Sequence, residues 1–535
     1  MNVADNMKNI LEEYPNYQET LFTKGYLITS NLFKELDLYP FYNNWNKEEC
    51  GTFNNGMPVN IYYHKQQDYH VYEENGITAA IIGHAYNPFD MKYKEVEILK
   101  DCIQEYKKNE EAFLEKISEL TGIHIIVIND NGNLIVLQDC AGMKACYYGI
   151  AKDDVCITSH PQLVGDIYNL EIDANVNELM QKWFFSLTGR YLPGDLSPYK
   201  LLKRLGPNTL IRYSEDFKLE RFYPTERHPE LSEDEYEESL NLIAKVLKNN
   251  IELCTLKWDV PAISLSGGMD SKTTLASANG FYDKYKYYSF HSKPQEIEDA
   301  DAAHEICREI RVEHDIYAIP ERNEDIQDFE ILKKIILHNA SYIDNPKDNE
   351  IRKFIYLSRL NDFDVELKSW VSEIGRAMWG KKYSVSLPET LTPRHFTIFQ
   401  TRYFGSPKLL RHSDRSYEDY LQRINLTQPI YNYEHADLFY WEFRFGSWGS
   451  NVATTQDISR HMVTMPMNNR KLMDMFLWFP HEYRKKDMVN RKVIKISNNE
   501  IAKLDINVDN MYLRGKRVFI EKIYYHYRTF FYRSK

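Results

Sequence analysis

The feature that most limits how this chain can fold is the stretch VPAISLSGGMDSKTTLASANG, residues 260–280, in which an apolar run breaks at two glycines. Residues 260–265 predict a short buried strand, and residues 272–278 have the composition of a helix. The polar cluster between them therefore lies on a strand-to-helix turn. At such a turn, backbone N–H groups and the positive end of a helix dipole point at one spot.

The surrounding sequence repeats this alternation of strand and helix. YKYYSFHS predicts a strand, EIEDADAAHEICREI a helix and HDIYAI a further strand. Before them, Pro224 and Pro229 mark a linker, and Ser232 with Glu235 three residues later predicts the capped start of a helix. This order indicates a doubly wound α/β sheet with its ligand at the carboxyl ends of the strands. Beyond about Tyr383 the chain has mainly helical and aromatic character.

The first half of the chain has a different pattern. Short runs rich in β-branched and aromatic residues alternate with polar turns from about residue 24 to residue 223. INDNGNLIV predicts a hairpin whose positive-φ position falls on Gly132. One helix is predicted over about residues 90–118, where apolar residues form a heptad-like stripe. The sequence thus predicts a sheet-rich α+β domain over 1–225, followed by an α/β domain over 226–535.

Composition excludes several classes of function. Lys and Arg number 66 against 78 Asp and Glu, a formal charge of −12 that argues against general nucleic-acid binding. The N-terminal residues lack an apolar signal region, and no apolar run of about 18 residues occurs, so we expect a cytoplasmic protein without a membrane partner. The cysteines include no CxxC pair, and their scattered positions are typical of reduced thiols in a protein core. They are Cys50, Cys102, Cys140, Cys146, Cys156, Cys254 and Cys307.

The glycine turn itself suggests a ligand. Gly267 and Gly268 can adopt positive φ and let the backbone approach a bound group, while Ser266 and Ser271 offer hydroxyls. Asp270 would repel a phosphate directly, so its presence favours a Mg²⁺ ion between the two. A magnesium polyphosphate is the predicted ligand. The Walker pattern GxxxxGK[ST] is absent, which argues against phosphoryl transfer of the kinase or GTPase type.

LSGGMDS resembles the PP-loop of the N-type ATP pyrophosphatases, and the order of the two halves resembles the asparagine synthetase family. In the first half, LIVLQDCAGMKACYYG is similar to the family's D-x-x-G-x-x-P-L-Y-Y element, with CITSHPQLV, LLKRLGPNTLIRY and RFYP following. In the second, SFHSKPQEIEDADAAHEICREIRVEHD and ISRHMVTMPMNNRKLMDMFLWFPHEYRKK resemble later segments. The resemblance implies an Ntn-hydrolase-like sheet sandwich, then an α/β PP-loop ATP pyrophosphatase domain with a helical C-terminal part.

The resemblance also implies chemistry. A substrate carboxylate attacks the α-phosphorus of ATP, pyrophosphate leaves, and an amine displaces AMP to form an amide, with ATP and Mg²⁺ as cofactors. The implied metal ligand is Asp270. The residues that the resemblance assigns to nucleotide binding are Leu265, Ser266, Gly267, Gly268, Asp270 and Ser271.

One departure from the family concerns glutamine. Glutamine-hydrolysing members use a cysteine at position 2, whereas this chain begins Met1, Asn2 and has no cysteine before Cys50. We therefore expect no glutaminase activity, with the first domain kept as a scaffold or partner surface. The amine would then be free ammonia or a different amine.

Another departure lies in LKSWVSEIGRAMWGKKY. Alignment with the family's S-G-E-G-A-D-E-L-F-G-G-Y keeps Glu373 as an acid or base, but places Arg376 at the aspartate and Ala377 at the second glutamate. A cation there is expected to repel an α-ammonium group and attract an anion, so aspartate is a poor substrate candidate. The alternative is that Glu373 and Arg376 form an i,i+3 surface pair.

Near the C-terminus, MVNRKVIKIS resembles the family's K-x-x-L-R stretch, whose lysine supports the adenylate. Lys492 or Arg491 could hold that place, and a solvated basic helix end is the alternative. Lys492 is taken as the catalytic candidate, beside Glu373 and Arg376.

Two functions of different class follow. The first is an ATP-dependent amide ligase that adenylates a small-molecule or peptide carboxylate and joins it to an amine. The other is a non-catalytic nucleotide-binding or regulatory protein of the same origin, which the altered SEIGRA segment supports. Homodimer formation is left open by the sequence.

Overall fold

The structure is a computed structural model, and it describes residues 3–185, 190–229, 231–343, 345–400, 407–504 and 515–531. None of the helices it describes is long and apolar enough to cross a bilayer. Secondary structure divides into two antiparallel sheets built from the first part of the chain, one parallel sheet from the later part, and a large helical portion.

Two six-stranded antiparallel sheets pack face to face, in the orders β10-β8-β9-β1-β3-β2 and β12-β11-β7-β6-β5-β4. Residues from both inner faces form one apolar core, including Ile28 and Ile157 from one sheet and Ile125 and Val127 from the other. The strands are β1 (Tyr26–Thr29), β2 (Trp45–Thr52), β3 (Pro58–His64), β4 (Tyr69–Glu74), β5 (Ile77–Tyr86), β6 (Thr121–Asp130), β7 (Asn133–Gln138), β8 (Tyr147–Ala151), β9 (Asp154–Thr158), β10 (Leu202–Arg204), β11 (Thr209–Tyr213) and β12 (Phe217–Arg221).

Helices cover the outer faces of both sheets. On the second sheet, Ile126 and Ile128 of β6 point away from the inner core and join a cluster with Ile98 and Phe113 from covering helices. β6 is therefore buried on both faces, which explains its nearly continuous apolar sequence. The helices of this part are α1 (Val3–Glu13), α2 (Glu95–Lys108), α3 (Glu110–Ser118), α4 (Pro161–Tyr168) and α5 (Ala174–Met180).

Two local predictions in this part have different outcomes. The hairpin is confirmed, since β6 and β7 are joined by Asn131 and Gly132, with φ of 49° and 91°. The single helix over about 90–118 is wrong. The chain leaves the helical conformation at Asn109, whose side chain accepts a hydrogen bond from Ala112 N–H and so caps α3.

The later part of the chain forms a five-stranded parallel sheet in the order β15-β14-β13-β16-β17. From β13 the chain adds strands first on one side and then on the other, so the order reverses between β13 and β16. Ligand crevices in open α/β sheets form at such a reversal. The strands are β13 (Pro261–Ser264), β14 (Lys286–His291), β15 (Asp315–Ala318), β16 (Val365–Leu367) and β17 (Met462–Thr464).

The predicted strands β13, β14 and β15 are confirmed, whereas β16 and β17 were not foreseen. The helix α6 begins after Ser232 with the predicted capping box, in which the Glu235 carboxylate accepts from Ser232 N–H at 2.7 Å. The helices are α6 (Glu233–Lys257), α7 (Met269–Ser277), α8 (Pro294–Glu309), α9 (Phe329–Asn339), α10 (Asp348–Ser358), α11 (Met378–Tyr383), α12 (Pro393–Gln400), α13 (Pro407–Arg423), α14 (His435–Phe439), α15 (Ser450–Gln456), α16 (Arg470–Leu477), α17 (His481–Lys485), α18 (Met488–Ser497), α19 (Asn499–Lys503) and α20 (Gly515–Phe531).

A small cavity of about 40 Å³ lies where the antiparallel sheets meet the later part of the chain. Lys24 and Lys144 both line it, and both are buried. The Lys24 ammonium donates to the carbonyl of His461 at 2.8 Å, and the Lys144 ammonium donates to the carbonyl of Lys24 at 2.6 Å and to Gln67 Oε1. We call Lys24 and Lys144 the lysine pair.

Candidate functional site

The loop SGGMDS is held in shape by hydrogen bonds among its own polar groups. α7 begins at Met269, three residues before the predicted start, so Asp270 and Ser271 lie in its first turn. Ser271 Oγ accepts from Ser266 N–H at 3.1 Å and lies 3.0 Å from Ser266 Oγ. The loop therefore brings two hydroxyls and the N-terminal end of α7 together.

Gly268 does not use the conformational freedom that the sequence suggested for it. Its φ is −79° and its ψ 163°, an extended conformation open to any residue. A Cβ atom at this position would lie 3.4 Å from Ser266 Oγ, an ordinary contact. The Gly268 N–H donates to Ser266 Oγ at 3.3 Å, and glycine places no side chain of its own beside that bond.

The loop faces a cavity of about 440 Å³ at the carboxyl ends of β13 and β16, as the reversal of strand order predicts. We call it the loop cavity. Its described lining residues are Arg190, Ser264, Leu265, Ser266, Gly268, Asp270, Ser271, Phe290, Glu350, Lys353, Phe354, Leu357, Glu366, Lys368, Ser369, Trp370, Glu373, Trp448, Val452, Gln456, Ser459 and His461.

A buried charged group lies at the end of β16 in this cavity. Glu366 Oε2 is 3.5 Å from Lys368 Nζ and 3.5 Å from His461 Nε2. Burial opposes ionisation of Glu366, but Lys368 and His461 outweigh it and lower the pKa of Glu366 to about 2. Next to this group, Ser369 Oγ is buried and has no hydrogen-bond partner within the described part of the chain. The hydroxyl of Ser369 therefore has unused hydrogen-bonding capacity in a residue of the cavity wall.

Glu373, one of the predicted catalytic residues, lines the loop cavity. It lies in a short 3₁₀ helix, Ser372–Arg376, and its Oε2 accepts a hydrogen bond from the Tyr440 hydroxyl at 2.6 Å. A stacked pair of indoles, Trp370 and Trp448, lies on the same wall with ring centroids 5.9 Å apart. The structure thus brings Glu373 together with the predicted loop residues.

Arg376 is placed differently from the expectation that it faces a substrate. It is buried, it is not among the described residues lining the loop cavity, and its guanidinium binds two carboxylates. Arg376 Nη1 donates to both oxygens of Asp270 at 2.9 Å, while Nε donates to Asp487 Oδ1 at 2.8 Å. The i,i+3 surface pair with Glu373 is not formed either, because Arg376 is directed to Asp270 and Asp487.

Lys381 completes this arrangement, since its ammonium also donates to Asp487 Oδ1. Asp270, Arg376, Asp487 and Lys381 form what we call the charged quartet, in which two carboxylates alternate with two cations. Burial raises the pKa of Asp270 while Arg376 acts against that rise. Burial opposes the charge on Arg376, yet Asp270 and Asp487 raise its pKa above the usual value.

The predicted Mg²⁺ ion at Asp270 does not fit this arrangement. Both carboxylate oxygens of Asp270 already accept hydrogen bonds from Arg376, and Oδ1 also accepts from the Ser372 hydroxyl. Asp270 Oδ2 keeps one lone pair, but a divalent ion bound there would lie beside the Arg376 guanidinium, and the two cations would repel each other. Within the ranges that the structure describes, no group of three or more His, Cys, Asp or Glu residues could hold a metal ion.

Lys492 and its alternative Arg491 lie apart from the loop cavity. Both are exposed on α18, and neither is among the described lining residues. Among the described lining residues, the arginines and lysines are Arg190, Lys353 and Lys368, and sequence reasoning missed all three. Lys368 follows β16 directly, and the carboxyl end of a strand in a doubly wound sheet was the signal that could have found it.

The loop region is similar to a known family. Residues 243–347 match the model of the family described as asparagine synthase. This segment, well under half of the chain, contains β13, β14, β15 and the loop itself. A comparison with curated proteins found no match.

Solved structures give weaker likenesses. Glutamine phosphoribosylpyrophosphate amidotransferase from B. subtilis, complexed with ADP and GMP, is 11% identical over 51% of this chain and 62% of its own, with a TM-score of 0.22. The allosteric regulatory enzyme of purine biosynthesis is 11% identical over 50% and 60%, with a TM-score of 0.23. Glutamine-dependent NAD⁺ synthetase from Acinetobacter baumannii, in complex with ADP, is 13% identical over 35% and 38%, with a TM-score of 0.17. This chain spans less than two thirds of each, and such scores support no argument about it.

Proposed function

We propose that this chain is an ATP-dependent ligase that activates a substrate carboxylate by adenylation and passes it to an amine. The observation that carries the proposal is the SGGMDS loop at the reversal of a parallel sheet, facing a cavity large enough for a nucleotide. The similarity of residues 243–347 to the asparagine synthase family supports it.

The lining of the cavity suggests how ATP would lie. Phosphates fit at the N-terminal end of α7, where Ser266, Gly268 and Ser271 present hydroxyl and N–H groups. The aromatic rings of Phe290 and Phe354 line the same cavity and suit the purine base. Each role uses a group that already lies on the cavity wall.

The carboxylate substrate fits near the end of β16. Lys368, whose ammonium also pairs with Glu366 and donates to Gln456 Oε1, and the unpartnered Ser369 hydroxyl offer hydrogen bonds to an anion. The indoles of Trp370 and Trp448 offer an apolar surface. The substrate carboxylate oxygen bonds to the α-phosphorus as the bond to pyrophosphate breaks. The amine nitrogen then bonds to the acyl carbon, AMP leaves, and Glu373 accepts the proton that the amine loses.

The reaction is tested by exchange of labelled pyrophosphate into ATP across a panel of carboxylates. We expect exchange with one class of carboxylate, with AMP rather than ADP as the product. Lys368→Met should reduce exchange strongly, whereas Lys492→Met, an exposed residue outside the cavity, should leave it unchanged. The opposite result for the two lysines would support the assignment of Lys492 by resemblance and overturn the placement of the substrate beside Lys368.

Glutamine hydrolysis is not part of the proposal. All seven cysteines are buried, and burial raises the pKa of Cys50, for example, to about 12. A thiol with a raised pKa and no exposure is a poor nucleophile. Purified protein is therefore expected to release no glutamate from glutamine above background.

One observation, the ion pair between Arg376 and Asp270, favours a second candidate function. A nucleotide-binding protein without ligase activity is compatible with a loop whose carboxylate is already neutralised. ATP binding without pyrophosphate exchange for any carboxylate would favour it. The division at residue 225, cytoplasmic location and homodimer formation remain predictions.

A further inference from the structure

The charged quartet raises the question of which cation compensates the negative charge of Asp270 when the loop binds phosphate. Asp270 is the carboxylate of the SGGMDS turn, and it lies beside the groups that would receive phosphate. An isolated carboxylate at that position repels a polyphosphate. The sequence suggests that a divalent ion removes this repulsion. In the structure, a side chain of the protein, Arg376, provides a positive charge at this carboxylate instead.

The position of Arg376 is fixed by two carboxylates, through three of its nitrogen atoms. Nη1 donates to both oxygens of Asp270, whereas Nε and Nη2 donate to Asp487 at 2.8 and 3.3 Å. Lys381 in turn holds Asp487, and the formal charges of the quartet cancel. A planar guanidinium bound by two carboxylates is ordered before any ligand arrives.

A divalent ion and Arg376 exclude each other at Asp270. The ion would need an oxygen that now accepts from Arg376, and it would bring two further positive charges close to Arg376 and Lys381. Like charges at such a distance repel strongly in a buried environment. Arg376 and a metal ion are therefore alternatives for one carboxylate.

We propose that Arg376 takes the place of a divalent cation at Asp270, so that the loop binds ATP without Mg²⁺. This inference rests on the proposed function, because it requires ATP in the loop cavity. Arg376 removes the repulsion between Asp270 and phosphate, and the N–H groups of α7 with the Ser266 and Ser271 hydroxyls receive the phosphate oxygens. The cation is buried behind the cavity wall and does not touch the phosphates itself.

ATP binding is measured by calorimetry in excess EDTA and in millimolar Mg²⁺. The wild type is expected to bind ATP in EDTA at least as tightly as in Mg²⁺. Arg376→Ala should weaken binding in EDTA by about tenfold or more, the effect of one uncompensated charge, and added Mg²⁺ should restore part of the loss. Wild-type binding that improves about tenfold with Mg²⁺ would overturn the inference.

Arg484→Ala is the matched control. Arg484 is also a buried arginine that binds two carboxylates, Asp437 and Glu434, both at 2.7 Å. Unlike Asp270, neither of these carboxylates lines the loop cavity. Its replacement should leave the ratio of ATP affinities in EDTA and Mg²⁺ unchanged. An equal change in that ratio for both variants would show that loss of a buried arginine, not of the Asp270 partner, is responsible.

The double variant Asp270→Asn, Arg376→Met covers the case in which Arg376→Ala does not fold. It removes the carboxylate together with its cation, so the local charge balance at the loop is kept. We expect it to bind ATP in EDTA with nearly wild-type affinity and without a gain from Mg²⁺. Weak binding that Mg²⁺ restores in this variant would contradict the inference, since no carboxylate would remain for the ion.

Metal binding without nucleotide separates this inference from the proposed function. Mn²⁺ alone, followed by electron paramagnetic resonance, should not bind to the quartet of the wild type, whereas Arg376→Ala should show a new Mn²⁺ site that Asp270→Asn abolishes. Equal Mn²⁺ binding by wild type and Arg376→Ala would overturn the inference. Absence of ATP binding under every condition would overturn the proposed function, and the Mn²⁺ result would still decide whether Arg376 displaces a metal.

Discussion

The charged quartet beside the loop and the lysine pair at the junction of the sheets both remove cations from water, but they give those cations different partners. In the quartet, Arg376 has a carboxylate on each side. In the lysine pair, the ammonium groups donate to carbonyl and amide oxygens, which carry no net charge. The two clusters therefore differ in how firmly they hold a proton.

The difference appears in the pKa values. Burial lowers the pKa of Lys24 to about 8, with Asp457 acting in the opposite direction and Lys144 in the same one. The pKa of Arg376 is raised instead, because its two carboxylates outweigh burial. A single carboxylate partner does not offset burial for Lys381. Burial and the neighbouring Arg376 lower its pKa to about 8, although Asp487 acts in the opposite direction. A guanidinium between two carboxylates therefore keeps its proton to a higher pH than these buried ammonium groups do.

The largest expected effect comes from removing the carboxylate shared by both cations of the quartet. Asp487→Ala leaves Arg376 and Lys381 without that partner in a buried site, and we expect a loss of about 3–5 kcal/mol in the free energy of unfolding. Urea unfolding followed by fluorescence measures it. Lys503→Ala, which removes an exposed partner of Glu500, is the control and should cost less than about 0.5 kcal/mol. Equal losses for the two variants would show that the quartet does not stabilise the fold.

The lysine pair is tested by the dependence of stability on pH. The folded state loses the Lys24 proton near pH 8, and the unfolded state near 10.5, so between these values the unfolded state binds more protons and stability rises with pH. The full rise is about 3 kcal/mol for one buried lysine with such a shift. Wild-type protein should gain that amount relative to Lys24→Met, measured by urea unfolding at pH 7.5 and 10.5.

Lys8→Met provides the reference for that measurement, because the Lys8 side chain is half exposed. It should follow the wild type at both pH values. If Lys24→Met follows the wild type as well, the Lys24 ammonium of the folded protein does not titrate near pH 8, and the contrast with Arg376 is lost.

The smallest expected effect comes from a helix cap. It gives the contribution of a local contact to stability, against which the buried charges of the quartet can be compared. Ser232→Ala removes one side of the capping box at the start of α6, and we expect a loss of about 1 kcal/mol in the free energy of unfolding. A loss as large as that of Asp487→Ala would mean that the buried charges contribute no more than a helix cap.

Much of the fold was predictable because its signals are local. Ser232 and Glu235 are three residues apart, and the Asn131–Gly132 turn is two residues long, so neighbouring sequence specifies each. The strands β16 and β17 have three residues each, too few for a periodic pattern. They are strands because β16 pairs with β13 on one side and with β17 on the other. The break at Asn109 was missed because the apolar stripe continues across it.

In the candidate site, too, the features specified by neighbouring sequence were predictable and those that depend on distant residues were not. Sequence could place most of the loop and Glu373 on the cavity, because each follows a strand end or a recognisable segment. The loop residues that line the cavity are Leu265, Ser266, Gly268, Asp270 and Ser271. The ion pair between Arg376 and Asp487 could not be predicted. The two residues are separated by 111 positions, and no sequence pattern connects them. Lys492 was chosen by resemblance, and the fold puts that residue on the exposed side of α18.

β17 has a consequence for how the chain is made. The strand at the edge of the parallel sheet comes from residues about 200 positions after β13, beyond most of the helical portion. At a synthesis rate of about 5–20 residues per second, β16 leaves the ribosome several seconds before the strand that covers its edge. Until then an unpaired edge of β16 is open to other chains. We expect the nascent protein to depend on a chaperone, or on rapid synthesis between β16 and β17, more than the finished protein's stability would suggest.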